Sequence, residues 1–149
     1  MHYPSVSLII PCYNESARVT YLFDGLKEFE QVWKGDYEVI LVDDGSTDGT
    51  DLFIEQHPAF FALAATKKVS LLRQQNTGKG GALKLGVQHA MKAFVLTLDA
   101  DMASSPAELL RWLEIKRTFA ADEILIASRE LPASVVQDSF KRKLIGHIF

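Results

Sequence analysis

Tyr37-Glu38-Val39-Ile40-Leu41-Val42-Asp43-Asp44-Gly45-Ser46 is a short, β-branched and largely apolar run that breaks abruptly into two carboxylates and a Gly-Ser turn. A nearly unbroken apolar strand is what burial on both faces demands, as in a parallel sheet covered by helices. Val6 to Ile10, Val69 to Leu72, Phe94 to Leu98 and Ile124 to Ala127 read as strands of the same kind. Three of these also run into polar signatures: Pro11-Cys12-Tyr13-Asn14-Glu15, Asn76-Thr77-Gly78-Lys79-Gly80-Gly81 and Asp99-Ala100-Asp101. Ligands of open α/β sheets bind beyond the carboxyl ends of the strands, so these endings are expected along one rim.

Between the strands lie helical periods. Val19, Leu22, Phe23, Leu26 and Trp33 fall near one helix face, as do Leu83, Val87, Ala90 and Met91, and both stripes read as core. Ser105-Pro106-Ala107-Glu108 is a capping box with proline at the first helical position. The Ala-rich segment from Ala59 to Thr66 fits helix or loop. The order β-α-β-α-β-α-β-α-β predicts an α/β fold, a mostly parallel sheet between helical layers, as one domain over residues 1–149. Val136, Phe140, Leu144 and Ile148 recur every fourth residue up to Phe149, so residues 135–149 read as the start of an interrupted amphipathic helix and the chain as truncated.

Composition narrows the function classes. With 48% hydrophobic and 23% charged residues over 149, the chain is that of a globular domain rather than a disordered one. A net charge of −3, with basic residues dispersed apart from Lys141-Arg142-Lys143, argues against nucleic acid as a partner. Cys12 is the only cysteine, which excludes an internal disulfide and makes a reducing, cytoplasmic setting the expectation. No signal peptide is legible at the N-terminus, and no apolar run approaches the ~20 residues that span a bilayer.

Asp99 and Asp101, one residue apart at a strand end, repel each other unless a hard divalent cation, completed by phosphate oxygens, sits between them. The bland reading is a solvated loop with one carboxylate capping a helix. Asp43 and Asp44 end their strand in a glycine-rich turn, and one of the two carboxylates, pointing into the crevice, offers an acceptor for a base or ribose, as acidic residues after strands do in dinucleotide folds. Asp44 to Glu55 also carries much of the calcium-loop pattern of an EF-hand, but a strand rather than a helix enters it. Asn76 to Gly81 satisfies neither the Walker A nor the G-x-G-x-x-G spacing, leaving a glycine-flanked lysine at a helix start, able to approach a ribose or a diphosphate. His2, His57, His89 and His147 lack metal-ligand spacing, and Cys12 has no histidine partner in the sequence pattern. A phosphotransferase of haloacid dehalogenase type wants Thr or Val where Ala103 stands.

Taken in order, Val6 to Glu15, Glu38 to Thr50, Asn76 to Gly86, Phe94 to Pro106 and Ala127-Ser128-Arg129 resemble the nucleotide-sugar half of a family 2 glycosyltransferase of GT-A fold. The fuller motifs, Asn76-x-Gly78-Lys79-Gly80-Gly81-Ala82 and Ser128-Arg129, are similar to the dolichyl-phosphate or polyprenyl-phosphate glucosyl- and mannosyltransferases, the glucosyl type most of all. The resemblance implies that Pro11, Tyr13 and Glu15 line the uridine or guanosine pocket and that Val42 and Asp44 close its base side. It implies that Asp99, Ala100 and Asp101 form the D-x-D, with Asp99 and Asp101 holding Mg²⁺ or Mn²⁺ against the donor diphosphate. Arg129 and, less directly, Lys79 fall near the phosphates. The implied reaction is inverting transfer from a UDP- or GDP-sugar to a lipid phosphate or glycan acceptor. An anionic lipid phosphate needs no general base, and no catalytic residue is assigned, because the acceptor side is expected beyond Phe149. The resemblance adds the cytoplasmic face of a membrane as a location, with the C-terminal segment in peripheral contact. A non-catalytic nucleotide-sugar binding module is the alternative of a different class.

Overall fold

Strand β1, Val6–Cys12, is buried on both faces for nearly its whole length, and the computed structural model, which describes residues 2–116, 120 and 123–126, shows why. It lies inside a four-stranded sheet of order β3-β2-β1-β4, with β2 Tyr37–Asp43, β3 Val69–Arg73 and β4 Phe94–Thr97. Every pairing is parallel, with Val6 opposite Tyr37 and Phe94, and Val39 opposite Val69. Successive side chains alternate between two cores, as the period of a strand requires. Leu8, Ile10, Val39 and Leu41 join the larger one, and Ile9, Ile40 and Val42 the smaller.

The larger core is covered by α1 Val19–Val32, α2 Thr50–Gln56, α3 Pro58–Ala65 and α5 Glu108–Lys116, which bury Phe23, Ile54, Leu63 and Leu113 among others. The segment from Ala59 to Thr66 is thus helical. Pro58 opens α3 and the His57 ring nitrogen accepts from Ala59 N at 3.3 Å. The other face is covered by α4, Lys79–His89. The chain steps from β1 to β3 with its helices on one side, then crosses back through α4 on the other. The direction of winding therefore reverses between β1 and β4, and ligand crevices of open α/β sheets lie at such a reversal.

Two expectations are corrected. The stripe Leu83, Val87, Ala90 and Met91 holds only in part: Leu83 and Ala90 pack half-buried on the smaller core, but Val87 is 47% and Met91 81% exposed, and the fully buried positions of α4 are Ala82 and Gly86. The helix approaches the sheet so closely that a Cβ on Gly86 would stand 2.3 Å from Ile9 Cγ2, leaving room only for small residues there. The fifth strand also fails over its described part, since Ile124 to Ile126 pair with nothing in the sheet and Ile124 is 87% exposed. An apolar run becomes a strand only where a neighbouring edge pairs its backbone. Ala127 and the stripe of residues 135–149 lie outside the described residues. Among those described, no helix is long and apolar enough to cross a membrane.

The α4 seat yields a stability test. Gly86→Ala should lower stability by about 1–3 kcal/mol, the usual penalty for overpacking, since Ile9 is fixed at the centre of the sheet. Gly80→Ala, where a Cβ meets nothing within 4 Å, should be neutral or gain up to ~1 kcal/mol of helix propensity. Urea unfolding of both variants measures the difference.

Candidate functional site

The loops after β1 and β2 are fastened to each other by hydrogen bonds. Asn14 N donates to Ser46 Oγ at 3.0 Å, Glu15 N to Thr50 Oγ1 at 2.8 Å and Ser16 N to Asp48 Oδ2 at 3.0 Å. In return, Thr47 N donates to Asn14 Oδ1 at 2.9 Å. Asn14 adopts φ +54°, a left-handed conformation that asparagine tolerates. Asp48 Oδ1 accepts from the backbone of Thr50, the first residue of α2, at 3.0 Å. What burial this carboxyl has pushes its pKa up, but hydrogen bonds from Thr50 and Ser16 outweigh that and hold it down at about 2.

Asp44 binds the β2 loop to the loop after β3. Its side chain is buried, and Oδ1 accepts from Gln74 Nε2 at 2.6 Å, Thr77 N at 2.9 Å and Thr77 Oγ1 at 3.4 Å. Burial raises its pKa, yet these bonds, with a further one from the Gly78 backbone, hold it below the usual carboxylate range. Gly78 follows at φ +81° and ψ 168°, a conformation essentially reserved for glycine. Lys79 opens α4, and its Nζ forms an ion pair with Asp99 Oδ1 at the end of β4. A Cβ on Gly78 or Gly80 would meet nothing within 4 Å, so the backbone here is open to close approach from outside.

Of the β4 loop, Ala100 is buried while the Asp99 side chain is 60% exposed. Asp101 Oδ1 accepts from Ala103 N at 3.0 Å. Arg18, ion-paired with Glu15 at 2.8 Å, also feels the charge of Asp101. Pro11 sits at the reversal of winding. Ile9 O accepts from Leu98 N at 3.0 Å, and two residues on the Pro11 nitrogen turns the same way, past the last β4 rung, where no donor is required.

The fold therefore brings together Glu15, Arg18 and Asp101, Asp44 with the β3 loop, and Lys79 with Asp99. Tyr13, two residues before Glu15, is 49% exposed, whereas Val42 is fully buried, main chain included. Arg129 lies outside the described residues. Sequence reasoning missed Arg18, although its place three residues after Glu15 is an ion-pair spacing. It also missed Gln74, which belongs to no recognisable motif, and gave Thr77 no role within the Asn76 to Gly81 signature. The calcium-loop reading fails because Glu55 is ion-paired with Arg73 at 2.8 Å and Asp44 serves the β3 loop. Burial, aided by Asp43 and Glu15, pushes the Cys12 thiol to about 12, so it is no nucleophile.

Asp99 and Asp101 fit a hard cation: both are oxygen donors at the rim, and Asp99 already holds a positive charge, the Lys79 ammonium. Among the described residues no three His, Cys, Asp or Glu side chains are placed to hold a metal ion, so further ligands would come from a bound phosphate or water.

Comparison with known proteins gives the family and the fold. A family model described as glycosyl transferase family 2 matches residues 7–127. An undecaprenyl-phosphate 4-deoxy-4-formamido-L-arabinose transferase of Aeromonas hydrophila is 37% identical over 109 residues, 73% of this chain and 32% of that protein. A dolichyl-phosphate beta-glucosyltransferase of Dictyostelium discoideum is 30% identical over 97% of this chain and 47% of its own length. The chain thus spans between a third and a half of these relatives. Among solved structures, the mannosyltransferase PcManGT from Pyrobaculum calidifontis, in complex with GDP-Man and Mn²⁺, superposes with a TM-score of 0.63 at 28% identity, over 76% of this chain and 33% of that one. S. aureus TarS in complex with UDP-GlcNAc, TM-score 0.58 at 24% identity, over 76% of this chain and 32% of its own, shares the fold.

The hydrogen-bonded Asp48 carboxylate predicts a pH dependence. Its folded pKa of about 2 lies below the ordinary value of 3.8, so its stabilisation is present above about pH 4 and is lost as pH falls toward 2. Asp48→Asn should melt lower than the parent at pH 7, and the gap should close on acidification between pH 4 and 2. Thermal unfolding of both proteins across that range checks it.

Proposed function

The chain belongs to glycosyl transferase family 2, and from that premise we propose that it binds the donor in transfer of a sugar from a UDP- or GDP-sugar to a polyprenyl or dolichyl phosphate. The observation that carries the reading is the Lys79–Asp99 ion pair, which joins the loops after β3 and β4 beside the reversal of winding between β1 and β4, with Asp101 close enough to act on Arg18, itself paired with Glu15. The named substrates of the two relatives support a lipid phosphate as acceptor. The GDP-Man and Mn²⁺ complex supports a nucleotide-sugar donor held with a divalent cation.

In this reading Pro11, Tyr13 and Glu15 enclose the nucleoside, the exposed Tyr13 ring supplying a packing surface. Val42, from within the sheet, and Asp44 close the base side, and Asp44 also fixes the loop that leads into Lys79. Lys79 is given to the diphosphate, and so, by the family resemblance alone, is Arg129. Asp99 and Asp101, with the buried Ala100 setting the turn between them, would hold Mg²⁺ or Mn²⁺. Bound there, the cation supplies charge that offsets what builds up on the departing nucleoside diphosphate. The acceptor phosphate oxygen, already anionic, forms the new bond to the anomeric carbon as the bond to the diphosphate breaks on the opposite face, inverting the centre.

Two substitutions test this. Asp101→Ala should weaken Mn²⁺-dependent binding of GDP or UDP at least tenfold, about 1.4 kcal/mol, while leaving the melting temperature near that of the parent, because the side chain is exposed. Undiminished Mn²⁺-dependent binding would remove it from the metal site. Asp44→Ala should weaken nucleoside binding with or without metal and also lower stability, since the part-buried bonds from Thr77 and Gln74 lose their acceptor. Calorimetry with guanosine and uridine nucleotides, with and without Mn²⁺, reads both.

A further inference from the structure

Lys79 does more in this fold than wait for a phosphate. Its ammonium sits on Asp99, the carboxylate that the donor-site reading gives to the divalent cation. The two side chains are 61% and 60% exposed, so the pair can open without a large burial penalty. Glycines flank the lysine, Gly78 in a left-handed conformation and Gly80 with open space where a Cβ would be, so nothing packs against the backbone on either side. Asp44, through Thr77 and Gly78, anchors the loop just before it. The lysine is therefore a cation on a short tether with a fixed root and a free head.

We propose that Lys79 is a built-in competitor for the metal, holding Asp99 until a nucleoside diphosphate arrives and then transferring its charge to the diphosphate. The inference rests on the donor-site reading and adds a coupling to it. With no nucleotide present, a divalent cation must displace the ammonium from Asp99, so metal alone binds weakly. A diphosphate offers the ammonium another anion, and metal and nucleotide then bind cooperatively. By linkage the effect is reciprocal: the factor by which nucleotide tightens metal equals the factor by which metal tightens nucleotide.

Lys79→Met keeps the length of the side chain and removes its charge. Mn²⁺ titration of the full chain, followed by the electron paramagnetic resonance of free Mn²⁺ and by calorimetry, should show Mn²⁺ alone binding about two- to fivefold tighter to the variant, the size of one exposed ion pair. Binding of GDP and UDP in the presence of Mn²⁺ should be weaker, and the factor linking the two ligands smaller. Lys79→Arg, which restores the charge, should return Mn²⁺ affinity toward the parent value and guards against a misfolded methionine variant. Unchanged or weaker Mn²⁺ binding by Lys79→Met, while Mn²⁺ with GDP or UDP still binds the parent, would overturn this inference and leave the donor site standing. If the parent binds neither nucleotide with Mn²⁺, the donor-site reading fails and this one falls with it.

Discussion

A single buried carboxylate organises the rim. Ionised groups are expensive to bury unless donors surround them, and Asp44 is ionised because the Gln74 amide, the Thr77 backbone and hydroxyl, and the Gly78 backbone all turn toward it. Hydrogen bonds to a charged acceptor contribute about 1.5–3 kcal/mol each, roughly twice a neutral one, so the loop after β3 has little freedom to lift away. That loop leads directly into α4. The position of the helix start, and with it the root of Lys79, is thus fixed from β2 rather than from β3.

The other attachment of α4 is apolar and lies further along. Ala82 and Gly86 press against Ile9, Ile40 and Val42, and the absence of a Cβ at Gly86 sets how close the helix comes. A polar tie before the first turn and a steric seat two turns later define the helix axis. Neither would do so alone, since a tie permits rotation and a seat permits sliding. The first two loops are joined by an equally direct device, the exchange of hydrogen bonds between Asn14–Ser16 and Ser46–Thr50. Three of the four strand endings therefore behave as one interlocked edge. The GT-A fold of the relatives is reproduced with this edge at the carboxyl ends of the strands.

The parallel sheet was legible in the sequence because strands covered on both faces leave nearly unbroken apolar runs, as β1 and β2 do. Asp99 and Asp101 were legible because two carboxylates at a strand end are costly without a partner. Three features were not legible, for different physical reasons. The buried face of α4 was misread because large apolar residues mark a core only when helix and sheet stand apart, and here closeness selects Ala82 and Gly86 over Val87. Ile124 to Ile126 have the apolarity of a strand, but pairing is a property of a neighbour that local sequence does not contain. The Lys79–Asp99 pair joins residues twenty positions apart through the crossover of α4, so only the topology reveals it.

Proline in the second strand from the edge has a consequence for folding fidelity. A parallel strand of alternating donors slides by two residues with little change in its pattern, and β4 has only four rungs to hold it in place. Were β4 to climb along β1 by one such step, a rung would fall on the Pro11 nitrogen, which has no hydrogen to give. The shifted pairing is thus short of a bond that the native one does not need. Pro11 acts as a stop in register, and the gap between the two strands survives because the ladder has nothing there with which to close it.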